Sequence, residues 1–260
     1  MGQHVKGAAI MTKSEFDLDS LLMDARSQRV TLKAFVRLGR GKRWDWRGVF
    51  TKRDAWAGGD YELGLELGPR SDSRLCKAIM ALWNHPTLEG CYLAPFREPS
   101  KQPRLIPGDH PDVLIKHLSG EITLLLGVGR APEIGRGKAF ACCSSVLRLE
   151  DGVDWIYLGV PLGSLPYRTR GYPMAEGSDL SWCKTVSEWL KSIAESVFEP
   201  IGFRLGMVGW ELNGLEDSAE QIERDGIPKQ RYCDYLWPSG GKLSWHPNNA
   251  GASITEFEWD

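Results

Sequence analysis

What the 260-residue sequence lacks narrows it first. No apolar run approaches the ~20 residues that cross a bilayer, and no charged start followed by an apolar stretch and a cleavage site marks export. The six cysteines (Cys76, Cys91, Cys142, Cys143, Cys183 and Cys233) contain no C-x-x-C. Cys142 and Cys143 are adjacent, a poor geometry for a local disulfide, so free thiols in a reducing cytoplasm are expected. There is no basic excess either. The formal net charge is −2, which speaks against a general nucleic-acid binder.

Chemistry-bearing motifs are equally scarce. GVGRAPEIGRG at 127–137 lacks the G-x-G-x-x-G spacing and a following helix, and no G-x-x-x-x-G-K-[ST] occurs, so nucleotide binding is not expected. The five histidines (His4, His85, His110, His117 and His246) form neither H-x-x-x-H nor H-E-x-x-H. Surface or capping roles suit them, and no metal or cofactor is expected. No nucleophile elbow surrounds Ser144, Ser145 or Cys183, so no catalytic residue is assigned. Two polar residues stand out as a candidate site. They are Glu211 at a strand end and His246 in SWHPN. The carboxylates Glu62, Glu66, Asp151 and Asp154 pair on paper in several ways.

What is present is tryptophan and repetition. Eleven tryptophans favour either a Trp-rich core or a recognition surface. The tetrapeptide GRGK occurs at 39–42 and again at 135–138. Read outward from it, 21–36 lies against 113–128, YELGLELG (61–68) against IYLGVPLG (156–163), SRLCKAIMALW (73–83) against LSWCKTVSEWL (180–190), and 90–96 against 202–210. The matches keep their order with slowly growing offsets, as loop insertion would produce. An internally duplicated unit is therefore expected.

Each copy reads as α-β-β-β-α-β. In the first, helices are expected at about 15–27 and 72–84, with strands at 29–38, 44–51, 60–67 and 90–95. In the second, Asp109 caps a helix near 111–118, with Pro111 in its first turn. Strands follow at 121–128, 138–148 and 154–160, then a helix at 179–198 stopped by Pro200, then a strand at 202–210. Short turns imply a mostly antiparallel sheet with the helices on one face, an α+β fold arranged about a pseudo-twofold. The expected organisation is a flexible leader at 1–12, with Met11 an alternative start, repeats at 13–106 and 107–212, and a C-terminal extension at 213–260 packed on the second repeat.

In this arrangement GRGK marks the turn between the first two strands of each copy. It also gives two basic loops related by pseudo-symmetry. Arg40, Lys42 and Arg43 with Trp44 and Trp46 form one, and Arg136 and Lys138 form the other. Aromatic rings beside cations suit a protein-binding surface. The whole points to a non-catalytic cytoplasmic binding module with one protein partner, an acidic surface or a toxin. Bacterial immunity proteins, which neutralise a toxin, have this character, although no motif identifies such a family. Neither membrane nor nucleic acid is expected as a partner. Two readings compete: a hydrolase or transferase with its site between the repeats, and a nucleic-acid module using the paired GRGK loops, whose affinity would fall steeply with salt.

Overall fold

DYELGLEL alternates strictly. Tyr61, Leu63, Leu65 and Leu67 point to one side, and Asp60, Glu62, Gly64 and Glu66 to the other. Such a strand normally turns its acidic side to water. In the computed structural model this strand, β1 (Asp60–Pro69), is buried on both sides. The structure describes residues 50–56, 59–105, 107–135, 139–149, 152–165, 181–212 and 217–250.

The elements after β1 are α1 (Asp72–Trp83), β2 (Leu88–Tyr92), α2 (Pro111–Leu118), β3 (Leu125–Gly129), the short turn of helix α3 (Pro132–Gly135), β4 (Phe140–Arg148) and β5 (Val153–Pro161). Then come α4 (Ser181–Ile201), β6 (Leu205–Trp210), α5 (Ala219–Asp225), β7 (Asp234–Ser239) and β8 (Lys242–His246). The eight strands among the described residues join one sheet in the order β2-β3-β4-β5-β1-β6-β7-β8. Every neighbouring pair is antiparallel, so the fold is α+β. β1 lies between β5 and β6, which explains its burial.

Two crossovers build the main core. β1 and β5 run antiparallel, and each is followed by a helix and a strand parallel to itself. The first crossover, through α1, moves toward one edge of the sheet, and the second, through α4, toward the other. Right-handed crossovers with these opposed directions place both helices on the same face. Leu75, Ile79 and Leu82 of α1, and Val186, Leu190, Ile193 and Val197 of α4, are buried there against Leu63, Leu65, Phe140, Ile156 and Leu158. Full burial of such a side chain contributes about 1.5–3 kcal/mol. On the opposite face, α5 covers Trp155, Tyr157, Leu205 and Met207. A separate cluster of Phe50, Tyr92, Leu126, Val128 and Cys143 lies on that face too.

Several expectations need correction. The first crossover passes β5, β4 and β3, whereas the second passes only β1, so the strand orders differ where the halves can be compared. The internal duplication is therefore not confirmed; the proposed strands 29–38 and most of 44–51, with the helix at 15–27, lie outside the described residues. Phe50 and Thr51 form a turn, not a strand end. Pro200 does not stop α4, which runs through it to Ile201. Gly202 ends the helix in a left-handed conformation, φ 73°, with its N–H donating to the Phe198 carbonyl. His110, not Asp109, is the N-cap of α2.

Trp83 shows why particular glycines are required. Gly90 and Gly127 face each other across β2 and β3. A Cβ at either would collide with the Trp83 ring. The indole N–H donates to Ser144 Oγ at 2.9 Å, so the ring is satisfied as well as packed.

Candidate functional site

The richest grouping of polar side chains lies where β1 begins, β6 ends and the first half of α4 passes overhead. It has one layer on each side of the sheet.

Under α4, Tyr61 and Ser187 share a hydrogen bond of 2.9 Å. Asp234 stands beside Ser187, and its Oδ2 is enclosed and receives no hydrogen bond. Its Oδ1 accepts the Asn248 N–H at 2.7 Å, and the Trp245 indole lies nearby. Burial raises the Asp234 carboxyl, and these neighbours, with Arg231, pull it back down. Burial pushes the Tyr61 phenol far above its usual range, and neighbouring Cys183 adds to that. Trp182 meets the Tyr61 ring edge-on, with centroids 5.5 Å apart.

On the other face stand the acids of β1. Glu62 accepts the Leu212 N–H at 2.9 Å, and Glu66 accepts the Ala219 N–H, the first of α5, at 2.7 Å. Arg204 lies 3.4 Å from Glu66. Burial raises Glu66, while the Ala219 N–H and Arg204 oppose it. These two carboxylates therefore tie the chain after β6 back over the sheet. Asp60 is different. Burial, with the Glu211 charge beside it, lifts its carboxyl to about 6. One of its oxygens, Oδ1, is enclosed and receives no hydrogen bond. Glu211 is exposed, sits at a positive φ of 40°, and donates its N–H to the Asp60 carbonyl at 3.0 Å.

Five of the six thiols are poor nucleophiles. Burial pushes Cys76 up to about 12 and Cys233 to about 11, and holds Cys91, Cys142 and Cys143 well above their usual value. Ser144 is committed to Trp83. His117 is buried rather than on the surface, donating from Nδ1 to the Ile122 carbonyl at 2.7 Å. Among the described residues, no group of three or more His, Cys, Asp or Glu is arranged to hold a metal.

Of the residues singled out by sequence, Arg40, Lys42, Arg43, Trp44, Trp46, Arg136 and Lys138 lie outside the described residues. Glu211 and His246 are described but are not brought together. His246 pairs with Tyr235, which pairs with Met207, two strands over and four residues back from Glu211. Glu62 and Glu66 share a face without pairing, and Asp151 lies outside the described residues. Asp154 joins Arg148 at 2.9 Å, and Arg148 reaches Asp72 at 2.5 Å, a clasp between β4, β5 and α1.

Sequence reasoning missed Asp60, Tyr61, Ser187 and Asp234. The acid-every-second-residue pattern of β1 marked Asp60 as one of a polar row but did not mark that row as buried. Nothing local marked Ser187 or Asp234. No helix among the described residues is long and apolar enough to cross a membrane. Compared with protein-family models, curated proteins and solved structures, the chain matches none.

Proposed function

We propose that the chain is a non-catalytic protein-binding module, an inhibitor of immunity type that neutralises a toxin in a bacterial cytoplasm. The observation that carries this reading is how the polar groups of the richest site are used. Glu62 and Glu66 hold backbone N–H groups, Tyr61 and Ser187 are spent on each other, and the buried thiols are held protonated. These groups brace a single rigid sheet, and a rigid sheet presents a preorganised surface to one partner.

Affinity capture of the tagged chain from its own cell extract, at low and high salt, tests it. A stoichiometric protein that survives high salt is the expected result. Failure to retain any protein at either salt concentration overturns the reading, and nucleic acid released by salt replaces it with the nucleic-acid reading.

A second reading rests on Asp60. A carboxyl near 6 beside an exposed carboxylate is the pairing that acid–base chemistry uses. On this reading the chain is a hydrolase or transferase with Asp60 and Glu211 at its centre. Its test is a hydrolase substrate screen: any turnover lost in Asp60→Asn but kept in His246→Asn favours it.

A further inference from the structure

The two edges of the sheet are finished differently. At the β2 edge, Leu105 and Cys91 exchange both backbone hydrogen bonds, at 3.0 and 2.7 Å, so a passing segment pairs with β2 there. At the other edge β8 has β7 as its one strand neighbour among the described residues.

The turn between β7 and β8 fixes which β8 groups are free. Gly240 and Gly241 both have positive φ, 57° and 76°, as a two-residue hairpin turn with matching twist requires. Ser239 and Lys242 close that turn as a hydrogen-bonded pair, and alternation makes Trp237–Ser244 and Tyr235–His246 the next such pairs. Leu243 and Trp245 therefore aim their N–H and C=O groups away from β7. Pro238 agrees with this register, because it stands opposite Leu243, where no N–H toward β8 is needed. Edge groups of this kind, without a partner among the described residues, template a further strand.

Charge selects the occupant. The chain as a whole is slightly acidic, but Gly226–Ala250 carries Lys229, Arg231 and Lys242 against one acid, Asp234, which is buried. Lys191 of α4 adds a cation 5.0 Å over the Trp245 ring, where it is shared with Glu195. From this geometry we infer that β8 receives an extended, acidic segment of the protein partner as a ninth strand, with glutamates or aspartates on alternate residues. This rests on the binding-module reading and names the surface and the chemistry of its partner.

The experiment is calorimetric titration of the full chain, at low salt, with a short end-capped peptide alternating glutamate and valine. One-to-one binding is expected, at least about tenfold tighter than for the lysine–valine counterpart. Leu243→Pro removes one outward N–H without touching a bond to β7. It should weaken binding by about tenfold or more, in line with the loss of ladder bonds. Lys242→Glu should weaken it by a similar factor, and it decides alone if the proline variant does not fold. Absence of binding, equal binding of the two peptides, or undiminished binding by a folded variant overturns the inference. So does a dimer in sedimentation that Leu243→Pro makes monomeric, since the occupant is then a second copy. If affinity capture retains a protein that both variants still bind, the binding module stands and the β8 assignment alone falls.

Discussion

Asp60 offers the sharpest physical test, because its environment penalises the charge it carries at neutral pH. In an unfolded chain its carboxyl titrates near 3.8, and in the folded chain near 6. The gap of about two units corresponds to about 3 kcal/mol at ~1.4 kcal/mol per unit. The folded pKa is raised, so the protonated group favours folding. That contribution is fully present below pH 3.8 and is lost as pH rises through about 6. Above that pH the folded chain bears an ionised Asp60 at a cost. Asp60→Asn keeps the shape and removes the charge. Relative to the parent it should gain up to about 3 kcal/mol at pH 8, and the gain should shrink toward zero at pH 3.5. Urea unfolding of both chains across that range, with slopes compared, reads the difference directly. A difference that does not vary with pH refutes the reasoning, as does a variant less stable at pH 8. Glu211→Gln dissects the cause. Burial is the larger contribution and the Glu211 charge the smaller, so the step in this background should be reduced but not abolished.

Other expectations come from the packing. Arg148→Met leaves Asp154, which is 1% exposed, without its cation and should cost about 3–5 kcal/mol by chemical denaturation. A cost below about 1 kcal/mol would show the clasp to be dispensable. Gly127→Ala drives a methyl into Trp83 and should destabilise by about 1–3 kcal/mol, and a neutral result would mean the ring has room to move. Burial lowers His85 to about 4, with its Nδ1 against Thr87 Oγ1 at 2.8 Å. This depressed value stabilises the fold above about pH 6.5, and the benefit is lost as pH falls through about 4. NMR should find the His85 ring neutral at pH 5.5, and titration near 6.5 would contradict its burial.

Local pattern carried most of the elements. Apolar spacing in SRLCKAIMALW marked α1 to within a residue of its end, and the same spacing from Trp182 to Val197 marked α4. Helix ends were less legible, because they depend on backbone geometry. Pro200 is tolerated in the last turn of α4, and the left-handed Gly202 does the stopping. The repeated strings pointed to a duplication, but strings say nothing about which strands become neighbours. Hydrogen bonding across the sheet decides that, and it sends one crossover past three strands and the other past one.

The candidate site was illegible for a related reason. Asp60, Glu62 and Glu66 read as the wet side of a half-buried strand, and locally nothing contradicts that. Their burial comes from residues 150 and 153 positions away, Leu212 and Ala219, whose N–H groups Glu62 and Glu66 accept. The hydrogen bond under α4 joins Tyr61 to Ser187, 126 positions apart. Period-two and period-3.6 patterns report which side of an element is apolar. They do not report that a later segment returns to cover the polar side and draws its hydrogen bonds from it. A buried acid on such a strand therefore need not be a catalyst. Glu62 and Glu66 have N–H partners that explain their burial. Asp60 Oδ1 has none, which makes Asp60, rather than the more conspicuous Glu211, the residue on which the binding and enzymatic readings divide.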